Sequence, residues 1–166
     1  MNEFLQKLAM IIKKAPKVAF LGVGSPLRSD DNVGNRIVAA LADKLKVGPG
    51  QEFRFYQGES APENFTGAIR AFAPEFLILF DAAELGKRPG TFSLIPPGQI
   101  EGMSFASHVL PLKIICNYLN STVGRQILLV GIQPQNLEFG ESLSATVTEG
   151  LNSFVLSLMR QIELFG

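Results

Sequence analysis

Phe4, Leu8, Ile11 and Ile12 recur at helical spacing among polar residues, which predicts an amphipathic helix that ends before Pro16. Residues 18–24 (VAFLGVG) then form an apolar run closing on glycines. Such a run has no solvent face and reads as a buried strand. Ile37, Val38, Leu41 and Leu45 return to the helical period within residues 32–48, with Gly48 as the expected stop. Residues 52–58 (EFRFYQG) alternate as a second strand. Residues 60–72 read as a helix in which Ser60 and Glu63 have capping-box spacing and Pro62 fits the first turn.

Residues 75–82 (EFLILFDA) stay apolar until Asp81 and read as a central strand, whereas residues 90–97 (GTFSLIPP) halt at two prolines, as an edge strand does. A helix over 111–119, a buried strand over 126–132 and a long helix over 142–165 complete the pattern. The last carries Val147, Leu151, Phe154, Val155, Leu158 and Ile162 on one side. Strands alternating with helices predict an α/β fold. The expectation is one domain over 1–166, with a twisted, mainly parallel sheet of about five strands and helices on both faces. Sites in such sheets gather at the carboxyl ends of the strands, where the turns after the first and third strands both deliver aspartates.

Composition narrows the function classes. The chain has 166 residues, 46% of them hydrophobic, and its 15 basic and 15 acidic residues balance. Neither disorder nor electrostatic capture of nucleic acid is suggested, and a small substrate or a protein partner is favoured. The single cysteine, Cys116, excludes an intramolecular disulfide and fits a reducing compartment, so a cytoplasmic location is expected. Glu3, Lys7, Lys13 and Lys14 interrupt the first apolar segment, unlike a signal-peptide core, and no run is long enough for membrane insertion.

Two adjacent carboxylates, Asp30 and Asp31, stand in the turn GVGSPLRSDDNVG (22–34), where a phosphate loop would present amides and glycines. One reading makes one of them the N-cap and places the other at the positive end of the helix; the alternative is that the surplus carboxylate, Asp31 by position, faces the cleft as a ligand or base. Asp81 is either a turn residue or a second carboxylate on the same rim. His108 is the only histidine and precedes a helix start. A structural hydrogen bond explains it as readily as a ligand role. Gathered together, Asp31, Asp81 and His108 would offer two oxygens and a nitrogen to nickel, zinc or a similar divalent ion, with positions left open. Leu27 stands where a dinucleotide fingerprint needs its third glycine, and no Walker lysine follows. Cys116 lies among Leu112, Ile115 and Leu119 and reads as a core residue. Ser25 and Ser60 lack a nucleophile-elbow context.

With these segments in order, the chain resembles the maturation endopeptidases of NiFe hydrogenases, in particular the branch serving hydrogenase 3 of formate hydrogenlyase. The turn at 22–34 looks like that family's Gly-Asn-x-x-x-x-Asp-Asp-x-x-Gly. It is followed by GESAPEN, LILFDAAELGKRPG, the histidine segment and VGIQP. The resemblance spans nearly the whole chain after the first helix. It implies that Asp31, Asp81 and His108 contact nickel, that Asp31 and Asp81 serve catalysis, and that Asp30 is a local cap. Two positions depart from the pattern: Ser25 replaces an asparagine, and QGES at 57–60 stands where relatives carry Asp-Gly-Gly or Asp-Gly-Thr. Gln57 can hydrogen-bond but cannot serve as a carboxylate base, whereas Gly58 keeps room for a close backbone approach.

The function implied is removal of a C-terminal extension from the nickel-loaded large subunit of the hydrogenase. The partner is the large-subunit precursor, and the nickel is supplied by it rather than held permanently. Two alternatives stand beside this reading. One is a non-catalytic nickel checkpoint of the same fold, which Gln57 keeps open; the other is an α/β nucleotide-binding protein, which the charge of the Asp30–Asp31 turn opposes.

Overall fold

A computed structural model describes residues 2–96, 99 and 126–166. Helix α1 (Asn2–Lys14) leads into β1 (Lys17–Gly22), a single 3-10 turn over Ser29–Asn32, and α2 (Val33–Lys44). β2 (Glu52–Gln57) is followed by a 3-10 turn (Pro62–Phe65) continuous with α3 (Thr66–Phe72), then by β3 (Phe76–Ala82) and β4 (Phe92–Ile95). β5 (Gln126–Ile132) and α4 (Ala145–Leu164) close the series.

The strands make one five-stranded sheet in the order β2-β1-β3-β5-β4. β1, β2, β3 and β5 are mutually parallel where they pair, and β4 is antiparallel to β5. This is the α/β architecture expected from the alternating pattern, with the proline-terminated strand at an edge. The sheet order reverses at β1, which has β2 on one side and β3 on the other, so the carboxyl ends of β1 and β3 flank a topological switch point.

Strand alternation divides the core. Val18 and Phe20 of β1, Ile78 and Phe80 of β3, and Leu128 and Val130 of β5 face a cluster completed by α1, α2 and α4. Ala19, Leu21, Leu77, Leu79 and Leu129 face the opposite way, toward Ile69 of α3. The two layers explain why β1, β3 and β5 are apolar without alternation. Phe92 stacks on Phe154 at 4.1 Å between ring centroids and ties the edge strand to α4.

Several predicted boundaries move. β1 stops at Gly22 rather than Gly24, because Val23 and Gly24 already belong to the turn. α2 ends at Lys44, with Leu45 in extended conformation, so Gly48 is not its stop. The Ser60–Glu63 capping box does not form: Ala61 precedes a 3-10 turn and no side chain caps it. The predicted helix over 111–119, His108 and Cys116 lie outside the described residues.

Candidate active site

The site starts where β1 runs out. The Val23 N–H donates to the Phe80 carbonyl at 3.0 Å, so the chain follows β3 for one residue more before it turns. Gly24 turns with φ +135°, a region that L side chains rarely adopt, and its N–H donates to Glu59 O at 2.9 Å. Ser29 (φ 51°) and Glu59 (φ 52°) are non-glycine residues held in the left-handed region on either side of this rim. Such backbone costs of order 1–3 kcal/mol and persists only where surroundings fix it. Here Ser29 N–H donates to Gly140 O at 2.8 Å, and Glu59 N–H to Asn35 Oδ1 at 3.1 Å.

The turn places Asp30 and Asp31 side by side, both fully buried, with different partners. Asp31 Oδ2 accepts the Ser25 N–H at 2.8 Å, which fixes its carboxylate across the turn that it closes. Asp30 is not the local cap that its position suggested. Arg28 precedes the 3-10 turn and Asn32 precedes α2, and neither helix start has a side-chain cap. Instead Asp30 reaches 105–114 residues along the chain. Its Oδ2 accepts the N–H groups of Gln135 (2.9 Å) and Asn136 (2.8 Å), and its Oδ1 accepts that of Ser144 (2.7 Å), the residue preceding α4. The Ser144 hydroxyl lies 2.9 Å from Oδ2 as well. Asp30 therefore fastens the turn after β1 to the loop after β5 and the start of α4. A carboxylate accepting several amide donors is a strong, charge-assisted fastening.

Asp81 completes the pair. It sits near the end of β3, opposite Gly131 of β5, and its side chain is fully buried. Neither carboxylate oxygen has a hydrogen-bond partner among the described residues. Burial pushes the Asp81 carboxyl well above its ordinary value, the neighbouring Asp31 charge pushes it further, and the nearby Ala82 amide only partly offsets both. Two buried carboxyl groups close enough to repel are unfavourable by themselves and suit an arriving cation with oxygen-ligand demand. Asp31 and Asp81 are thus brought together as the sequence suggested; His108, the third member of the proposed set, lies outside the described residues. Among the described residues, no three His, Cys, Asp or Glu side chains gather as a metal-binding group.

Two polar residues that the sequence reading passed over hold this rim. Asn35, on the first turn of α2 and almost wholly buried, donates to Gly24 O at 2.9 Å and to Asn32 Oδ1 at 2.8 Å while accepting from Glu59. It joins the loops after β1 and β2 through one amide. Gln133, one residue beyond β5, accepts the Leu85 N–H at 2.7 Å and donates to Glu84 Oε2 at 3.1 Å, so it shapes the loop that leaves Asp81. An asparagine amid the apolar stripe of α2, and a glutamine directly after a buried strand, were the available signals. Gln57 ends β2 as an exposed residue beside this rim, and the following Gly58 N–H donates to Gly22 O at 2.8 Å, the close backbone approach anticipated there.

Residues 36–161 match the family model described as hydrogenase maturation protease. The hydrogenase 3 maturation protease of Escherichia coli is 30% identical over 134 residues, covering 80% of this chain and 83% of that protein. The crystal structure of a NiFe hydrogenase maturation protease, HycI, from Thermococcus kodakarensis superposes with a TM-score of 0.78 at 25% identity, covering 95% of this chain and 99% of that one. The solution structure of the endopeptidase HycI from Escherichia coli gives 0.70 at 28% identity, covering 90% and 91%. With its five-stranded sheet and its paired aspartates at the switch point, the chain belongs to the hydrogenase maturation protease family.

Proposed function

We propose that this protein is an endopeptidase of the branch serving hydrogenase 3 of formate hydrogenlyase, and that it removes the C-terminal extension of the large subunit after nickel has been installed. The observation that carries the reading is the Asp81 carboxyl, buried beside Asp31 and without a hydrogen-bond partner among the described residues. Nickel belongs to the substrate in this account: it arrives within the precursor, and Asp31, Asp81 and His108 are the side chains that meet it. The reaction takes place in the cytoplasm, without nucleic acid or membrane insertion.

Peptide hydrolysis needs a group that takes a proton from the attacking water and one that returns a proton to the leaving amine. Asp81 and Asp31 are the carboxyl groups that serve that exchange: Asp81 is buried beside Asp31, and Asp31 is held in one orientation by the Ser25 amide. Gln57, an exposed amide at the end of β2, contributes orientation only. It also motivates the second reading, a nickel checkpoint that binds without cutting.

Incubation with the cognate nickel-loaded precursor, followed by intact mass of the large subunit, separates the two. A large subunit shortened by wild type and left whole by Asp31→Asn, Asp81→Asn and His108→Ala supports the peptidase, with losses expected to exceed about 100-fold for groups acting in proton transfer. A precursor bound but never shortened supports the checkpoint.

A further inference from the structure

We infer that Leu27 and Phe139 form an apolar ledge on which the large-subunit precursor docks, built on the turn that carries Asp31. This rests on the peptidase reading for the identity of the occupant. Phe139 is 83% exposed and Leu27 49% exposed. They belong to two segments joined by backbone bonds: Gly140 N–H donates to Leu27 O at 2.8 Å, Ser29 N–H to Gly140 O at 2.8 Å, and Arg28 and Gly140 form an isolated parallel bridge. The Ser29 hydroxyl donates to Glu138 O at 2.9 Å, and Asp30 fastens the same two segments from the buried side.

Phe139 is thus presented from a braced stretch of backbone, which lowers the ordering cost of using it as an anchor. Arg28, Glu138 and Glu141 surround it with exposed charges of both signs. An aromatic anchor within a polar rim is the anatomy of a protein-binding hot spot. Continuity with the site supplies the occupant. Asp31 N–H donates to Arg28 O at 3.0 Å, so the residue that follows Leu27 is hydrogen-bonded directly to the Asp31 backbone. A protein substrate engaged at Asp31 is placed against the same turn that presents Leu27, which makes the precursor the occupant. Other large exposed apolar residues among those described, such as Leu156 and Leu164, lie on α4 well beyond Ser144, where that helix meets the turn through Asp30.

The test uses Phe139→Ser and Leu27→Ser, with Leu156→Ser as an exposed control on α4. Kinetics on nickel-loaded precursor and binding to immobilised precursor are measured for each, with circular dichroism to verify folding. The two ledge variants are expected to raise KM and Kd about tenfold or more, with kcat within about twofold and the control unchanged. Unchanged KM and Kd in both ledge variants, or an equal loss in Leu156→Ser, would overturn the ledge. Wild type that binds precursor without cutting it would remove the peptidase reading alone, since the Kd comparison still decides the ledge.

Discussion

Asp30 and Asp81 are both fully buried carboxyl groups, and the donors around them differ. Asp30 has amide or hydroxyl donors at both oxygens, so replacing one oxygen by an amide nitrogen sets donor against donor. Asp30→Asn is therefore expected to cost about 2–3 kcal/mol and to lower the melting temperature by about 4–12 °C in a chain of this size. A local cap would have tolerated asparagine, so an unchanged melting temperature would restore the capping role that the sequence suggested. Asp81 is expected to behave oppositely. A carboxyl that holds its proton more tightly when folded loses stability as pH rises from the ordinary value of 3.8, because ionisation then opposes the fold. Asp81→Asn removes that titration. Relative to wild type it should gain stability between pH 3 and pH 7 while losing processing, as read from melts at both pH values. A stability difference that stays constant with pH would contradict the burial argument. From the sequence, carboxylates on the rim were legible because they interrupt apolar strand ends. That Asp30 was the structural neighbour was legible; what it holds was not, since its donors lie more than a hundred residues away.

At the scale of elements, α2 holds the pair together by lying hard against the sheet. A Cβ on Gly34 would run into the backbone carbonyls of Phe80 in β3 and of Val23 in the turn after β1, the two segments that flank the site. Alanine is the better helix former by about 0.8–1 kcal/mol, but backbone cannot yield as a side-chain tip can, so the clash dominates. Gly34→Ala should lower stability by several times that propensity gain, roughly 2–4 kcal/mol, and should abolish processing. Gly67 is the internal contrast: it lies in α3 with nothing within 4 Å of its would-be Cβ. Gly67→Ala should gain about 0.5–1 kcal/mol with processing intact, as read by denaturant melts. Opposite signs at the two glycines are the result expected; equal destabilisation would mean that helix packing has been misjudged. The strands and the apolar stripe of α2 were legible because periodicity is local. Helix ends were less so. The capping-box spacing at Ser60 was overridden by a 3-10 start, and the stop at Gly48 was pre-empted when Leu45 left the helix in extended conformation.

Over the whole molecule, the parallel order β2-β1-β3-β5 brings the end of β1 and the end of β3 together, and the functional account depends on that meeting. The alternating strand and helix pattern sufficed to foresee the sheet, its antiparallel edge strand excepted only in direction. Cross-links such as the Asn35 amide and the Asp30 fastening carry no periodic signature, and only the folded chain reveals that they lock three loops around the carboxylate pair. The central claim is that this pair reads nickel carried by the substrate, and three parallel reactions test it most directly. Metal-free precursor, metal-free precursor with protease preloaded with nickel, and nickel-inserted precursor are each incubated with the enzyme, and release of the C-terminal peptide is measured. Cleavage of the nickel-inserted precursor alone is the expected result. Comparable release from the metal-free precursor would contradict the account.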